Sequence, residues 1–285
     1  MLDQFKMYLQ EDGKSENTIN SYLKHVEDYL KWFSESKGVE FKQLYNTNVK
    51  DYISYLKTVR KQKPTTINAK INALMKFNEF LVQTGVQEGI VITNKEFQKV
   101  QQQYASLAKL ELQDVEKFRQ LVLESGNKRN FALVTLLAYA GLRISEALNL
   151  KLDDISIGTR EIIVHEGKGN KTRTVLMNQK VKDALEEYLK ERKSDSEYLF
   201  VSKQKKQLDR TTVNKIFADF SKKVRDDENF RITPHDLRHF YCSYALKIGM
   251  DVHEVANQAG HSNIHTTLLY TNPTKKEMLE KIDRM

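Results

Sequence analysis

Six side chains of this sequence have the types and spacing to act together on a phosphate ester. His235 and Arg238 stand three apart directly after Pro234, which puts them on one face of a helix. Arginine grips a phosphate through two parallel hydrogen bonds. A second arginine, Arg143, follows Gly141 at the start of another helix, and Glu146 three residues on can orient it. Lys168 lies in the turn Gly167-Lys168-Gly169-Asn170, from which a lysine can neutralise a phosphate or donate a proton. Lys171 and Arg173 beside it suit contacts to a nucleic-acid backbone, which position a protein without reading sequence. His261 follows Gly260, and Tyr270 lies nine residues further. A tyrosine has a free pKa near about 10 and needs nearby positive charge or a base before it attacks a phosphodiester.

Taken singly, each residue has an ordinary structural explanation. His235 can be part of a helix start and Arg238 a surface arginine. Arg143 and Glu146 can form a plain helix salt bridge. Lys168 can be a solvated turn lysine, and Tyr270 a core or surface ring. A zinc reading also exists, because His235 and His239 are four apart, as are His261 and His265. It leaves Arg143, Lys168 and Tyr270 without a task, and metal analysis of the pure protein would decide it.

The elements that must position these groups are legible from periodicity. Apolar residues at Ile19, Tyr22, Leu23, Val26, Leu30 and Phe33 recur every 3.6 residues and predict a helix that Gly38 ends. A second helix is expected from Asn48 to Val59. A third follows Pro64, with Ile67, Ile71, Leu74, Phe77 and Leu81 inward. Asn72 and Lys76 are expected on its opposite, solvent side, where they are candidates for groove contacts. Residues 89–108 are polar and glutamine-rich near their middle and read as a linker. Beyond it, Asn130 to Ala140 is a nearly continuous apolar run expected as a core helix. Two β-branched runs, Glu161–His165 and Thr172–Leu176, flank the glycine-rich turn and predict a hairpin. Helices return at Gln179–Arg192, at Thr211–Val224 and from His235 onward. The fold class expected is mainly α with a small β-sheet, with an all-α unit over 1–88 and a second unit over 109–285.

In conjunction the motifs are specific. The chain resembles the tyrosine recombinase (phage integrase) family over essentially its whole length. The blocks that carry the resemblance are GLRISEAL, EGKGNKTR and TPHDLRHFYCSYAL running on to AGHSNIHTTLLYT. The resemblance implies that Arg143 and Arg238 are the catalytic arginines and Lys168 the hairpin lysine. It implies that His235 and His261 are the two site histidines and Tyr270 the nucleophile. Ala259 departs from the pattern, where a leucine is usual. The implied architecture is a helical, SAM-like core-binding domain followed by a catalytic domain, the two clamping opposite faces of duplex DNA. The implied reaction cleaves a strand through a 3′-phosphotyrosyl bond and rejoins it, with no cofactor and no metal. The implied partners are a double-stranded recombination site with inverted core repeats and further copies of the chain. Residues 274–285, with Met278, Leu279, Ile282 and Met285 on one stripe, are expected to dock into a neighbouring protomer of a tetramer or onto their own domain. Resolution of transposon cointegrates or replicon dimers is the preferred role, since the helices start almost at Met1 and leave no room for an arm-binding domain. Integration of a mobile element, type IB topoisomerase-like relaxation and an inactive DNA-binding protein of the same fold are the alternatives.

Composition agrees with an anionic partner. The formal net charge is +8, with 40% hydrophobic and 29% charged residues. The single cysteine, Cys242, excludes a disulfide within the chain and a multi-thiolate zinc site. There is no signal-like N-terminus and no apolar run long enough to cross a bilayer, so a cytoplasmic location is expected.

Overall fold

A computed structural model describes residues 1–100, 110–165, 172–227, 229–261, 263–270 and 282–283. The chain divides into two compact units, Met1–Gln102 and Gln103–Met285. Among the described residues no helix is long and apolar enough to cross a membrane.

The first unit is built on α1 (Leu2–Glu11), α2 (Glu16–Lys37), α3 (Asn46–Thr58) and α4 (Pro64–Gln83). The Ser15 side chain accepts from the Thr18 backbone N–H to start α2, and Gly38 ends it at φ 66°, in the left-handed region that glycine enters without a Cβ penalty. The core is aromatic. Phe5 meets Phe77 with ring centroids 5.1 Å apart, and Tyr52 lies 5.2 Å from Tyr29 and 4.9 Å from Trp32.

Two expectations are corrected here. Residues 89–98, read as the start of a linker, are tied to the first unit. The buried Asn78 side chain accepts from the backbone N–H groups of Val91 and Ile92 at 2.7 and 3.2 Å. Gln98 N–H donates to Asn68 at 2.8 Å, and Ile92 is fully buried. Residues 101–109, the rest of the expected linker, lie outside the described residues. Lys76 does not stand in open solvent beside Asn72. It pairs with Asp12 at 3.1 Å and Glu79 at 2.8 Å, and its ammonium lies over the Tyr8 ring, because α1 packs along that flank of α4. Asn72 is exposed.

The second unit is organised around α6 (Lys128–Tyr139), buried at Asn130 and continuously from Ala132 to Tyr139. Helices α5 (Leu112–Glu124), α7 (Ile144–Asn149), α8 (Gln179–Glu191) and α10 (Pro234–Lys247) pack on it. An antiparallel sheet joins β1 (Ile155–Ser156), β2 (Glu161–His165) and β3 (Thr172–Leu176) in that order, with Ile163 opposite Thr174. Ile162, Val164 and Val175 point into the core while Ile163 faces out, the alternation that a sheet covered on one face requires. The hairpin tip, 166–171, lies outside the described residues, and with it Lys168 and Lys171. Helices α9 (Arg210–Ser221), α11 (Val252–Ala259) and α12 (His265–Leu268) complete the unit, with α11 against both β3 and α10.

Candidate active site

Local sequence sets each functional side chain in place. Thr233 caps α10 by accepting from Asp236 N–H, Asp236 returns the bond to Thr233 N–H, and Pro234 takes the first helical position, where no N–H is needed. This fixes the helix start, so His235 falls on the rim and Arg238 one turn deeper. Arg143 is the N-cap of α7, and its backbone N–H donates to Glu146 at 2.7 Å. Arg143, His235 and Arg238 line one cleft of about 720 Å³, whose other wall carries Arg210 and Asn214 of α9 and Arg231.

Both arginines are held by main-chain oxygens. Arg238, 5% exposed, donates from Nη1 to the Gly141 carbonyl at 2.5 Å. Burial, and then the charge of Arg143, press its pKa down. Arg143 donates from Nη2 to the Gly260 carbonyl at 2.9 Å and from Nη1 to Glu146 at 2.8 Å. Both glycines have positive φ, 68° and 70°. A Cβ on Gly141 would stand 2.4 Å from the Tyr241 ring, and one on Gly260 2.4 Å from the Arg173 guanidinium carbon.

Arg173 does not stand free at the surface as the expected backbone contact would. Its Nη2 donates to Glu146 at 2.8 Å, and its side chain is only 12% exposed. It points inward because β3 packs on α11, where its Nε also reaches the Gln258 carbonyl at 3.4 Å. Glu146 therefore sits between two guanidinium groups. Burial alone would raise its carboxyl pKa, but hydrogen bonds from Arg173 and from the Arg143 backbone outweigh it, and the net shift is downward. A depressed carboxyl stabilises the fold above its unfolded pKa of about 4.3 and loses that contribution as pH falls through the lower folded value. Glu146→Gln is expected to cost about 2 kcal/mol at neutral pH, with the gap to the unmodified protein closing in acid. Urea titrations at pH 7 and pH 3 check this.

His261 follows the left-handed Gly260, and its Nδ1 hydrogen-bonds the Thr267 hydroxyl at 2.7 Å. Burial first, and then Arg238, Arg143 and Arg173, lower its pKa to about 4. At neutral pH it is uncharged. Tyr270, half-buried, follows α12 and packs on the small apolar cluster of Tyr241, Cys242 and Ala245. Its ring lies 5.1 Å from that of His239 and 6.4 Å from that of His261, nearly parallel to the latter. Burial and the neighbouring Cys242 raise the phenol to about 12, while Arg238 opposes the rise. The tyrosine is thus a protonated phenol at rest.

Five of the six expected positions are described, and all five fall in this one region of the second unit. His235 and His239 do not converge on a third ligand: their Nε2 atoms hydrogen-bond each other at 2.8 Å. Among the described residues no group of three or more histidine, cysteine, aspartate or glutamate side chains could hold a metal ion. Arg210, Asn214, Arg231 and His239 were not singled out from sequence. The first three belong to no motif; His239 sits inside one but was weighed only as a zinc ligand.

Comparison with known proteins gives this arrangement its class. Residues 108–277 match the phage integrase family, and residues 2–85 match the phage integrase N-terminal SAM-like domain. The chain is 49% identical to the "TnP I resolvase" of Bacillus thuringiensis, with 98% of each chain covered. It is 31% identical to "Tyrosine recombinase XerA" of Pyrococcus horikoshii, covering all of this chain and 93% of that protein. Among solved structures, a XerA recombinase matches at 26% identity with a TM-score of 0.55, over 99% and 97% of the two chains. A Tn1549 transposon integrase matches at 19% identity with a TM-score of 0.74, over 99% and 98%. The chain belongs to the phage integrase family. It is a tyrosine-type site-specific DNA recombinase, a strand-transferring enzyme.

Proposed function

We propose that the chain cleaves and rejoins duplex DNA through a 3′-phosphotyrosyl bond to Tyr270, at a recombination site with inverted core repeats. The observation that supports this reading is the shared cleft of Arg143, His235 and Arg238 with Tyr270 beside His239 and His261. Tyr270 attacks the scissile phosphate in line. Arg143 and Arg238 stabilise the extra negative charge of the transition state from fixed positions, where such charge acts without reorganisation cost. His261, uncharged, contributes a neutral hydrogen bond. His235 takes the phenol proton, and Lys168 of the hairpin tip protonates the leaving 5′ oxygen. The 5′ hydroxyl of a partner strand then reverses the chemistry, and the bond energy is kept in the covalent link.

The likeness to a resolvase at 49% identity supports cointegrate or replicon-dimer resolution as the biological role. DNA binding at a core site is supported by solved relatives in complex with DNA: a transposon integrase on transposon right-end DNA and a XerH recombinase on difH substrate. Arg210, Asn214 and Arg231 extend the polar wall of the cleft and are proposed to bear on the DNA around the scissile phosphate. Asn72 on the exposed side of α4 is proposed as a groove contact, and Lys171 as a backbone contact.

The test is covalent trapping on a nicked duplex carrying the candidate site, taken from DNA flanking the protein's own coding sequence. A denaturation-resistant adduct formed in EDTA supports the reading. Intact binding without any adduct on that site or a relative's site overturns it.

Assembly is tested separately. Residues 271–281, 284 and 285, which hold most of the expected docking helix, lie outside the described residues. Deleting Thr274 to Met285 is expected to impair tetramer formation on DNA at least tenfold more than binding of one protomer, as for any contact made between copies. Sedimentation and gel shift read the two effects; equal loss of both would place the helix on its own domain.

A further inference from the structure

The His235–His239 contact is not used by the reaction as set out above. The two Nε2 atoms stand 2.8 Å apart, and the rings meet edge to face at 4.3 Å between centroids. An N–H···N bond needs one nitrogen bearing a proton and one bare. His235 is exposed on the cleft rim, whereas His239 is half-buried one turn below it. His239 also meets the Tyr270 ring at 5.1 Å. A buried ring resists charge, so a proton gained by the pair belongs on the exposed member.

We infer that His239 is a positioning residue for cleavage: its bare Nε2 accepts the Nε2–H of His235, which leaves the His235 Nδ1 bare as the base, while its ring holds Tyr270 alongside. This deepens, and rests on, the proposed recombinase reading. In the step, the phenol proton passes to His235 Nδ1, the Tyr270 oxygen–phosphorus bond forms and the bond to the 5′ oxygen breaks. The 5′ oxygen takes its proton from a separate acid. His235 becomes an imidazolium whose Nε2–H is already held by a neutral acceptor. The groups around His239 agree. On α10 it faces His235, Asp236 and Arg238, and across from them His261 and Tyr270. Burial first and the His235 charge second lower its pKa, with Asp236 opposing and Arg238 reinforcing. The logic is that of an oriented imidazole, whose working nitrogen is set by what the other one binds.

Imidazole nitrogen NMR of the DNA-free protein tests the tautomer directly. His239 is expected to carry its proton on Nδ1 and His235 its proton on Nε2; a His239 ring protonated on Nε2 overturns the inference. In His239→Leu the acceptor is gone, and the His235 ring is expected to lose its fixed tautomer, with proton signal on both nitrogens. A His235 tautomer that is unchanged in His239→Leu would mean that His239 does not set it. Cleavage of the nicked duplex is expected to drop roughly tenfold in His239→Leu, with its acid limb displaced to lower pH. His239→Gln, whose amide oxygen can accept the same bond, is expected to recover most of both. Equal loss in the two variants with an unmoved limb would reduce His239 to packing. The NMR readout is independent of DNA, so a failed tautomer with a Tyr270 adduct intact sinks only this inference, whereas an absent adduct sinks the recombinase reading.

Discussion

Tyr270→Phe is expected to bind the recombination site with unchanged affinity and to form no covalent adduct, a loss of roughly 10⁴-fold or more, as for removal of an enzyme's nucleophile. The substitution removes one oxygen from a ring that packs against the small apolar cluster containing Cys242 and lies against His239 and His261, so the packing survives. The resting phenol, at about 12, is a weak nucleophile. Desolvation is the main cause of that rise, and Arg238 opposes it. Cleavage must therefore wait until a phosphate is bound and a base accepts the proton. Denaturing gels on nicked duplex make the measurement. Adduct that persists in Tyr270→Phe would move the nucleophile to another residue.

Arg238→Ala is the second large effect. It is expected to lower the cleavage rate by about 10²–10³-fold while site binding weakens only several-fold, the pattern of charge aimed at a transition state. Arg238 is buried and anchored on the Gly141 carbonyl, so its removal also leaves that acceptor without its donor. A stability cost of about 1–3 kcal/mol accompanies the catalytic one. Arg238→Lys separates the two: it restores charge without the planar fork, and is expected to recover binding and stability better than rate. Single-turnover kinetics beside thermal melts resolve these. A variant that binds poorly yet cleaves all the DNA it binds would make Arg238 a positioning contact.

How much of this was written in the sequence differs from element to element. The hairpin strands Glu161–His165 and Thr172–Leu176 lie where β-branched runs flank a glycine turn, since that signal is local. Helices α2, α4, α8 and α10 follow apolar periodicity or a capping box, also local. Arg173 was misjudged because a strand residue's face is decided by what packs there, and α11 is eighty residues away. Lys76 was misjudged because the partner of its helix flank, α1, had not been recognised as a separate helix. Residues 89–98 look like linker by composition. Their order comes from amide side chains at Asn68 and Asn78 that satisfy main-chain N–H groups, and polarity scales do not see that. For the candidate site residues, the motifs and the family resemblance pointed to residues of which the five described fall in one region, but protonation was not legible. The neutral His261 depends on burial and on arginines brought in from distant segments, and the resting phenol of Tyr270 on burial that outweighs Arg238.

The two left-handed glycines carry a consequence for how this protein tolerates change. Arg238 and Arg143 each hang from a carbonyl oxygen, one on Gly141 and one on Gly260. Every residue type has a carbonyl, so no substitution deletes these acceptors. What substitution can do is turn them, because any side chain at either position meets Tyr241 or Arg173 and an unfavourable φ. Alanine scanning would therefore never register the acceptors themselves. Their importance would surface as intolerance at two residues that have no side chain. The aim of these two guanidinium groups is thus inherited from backbone shape, and a backbone shift at either glycine would re-aim them.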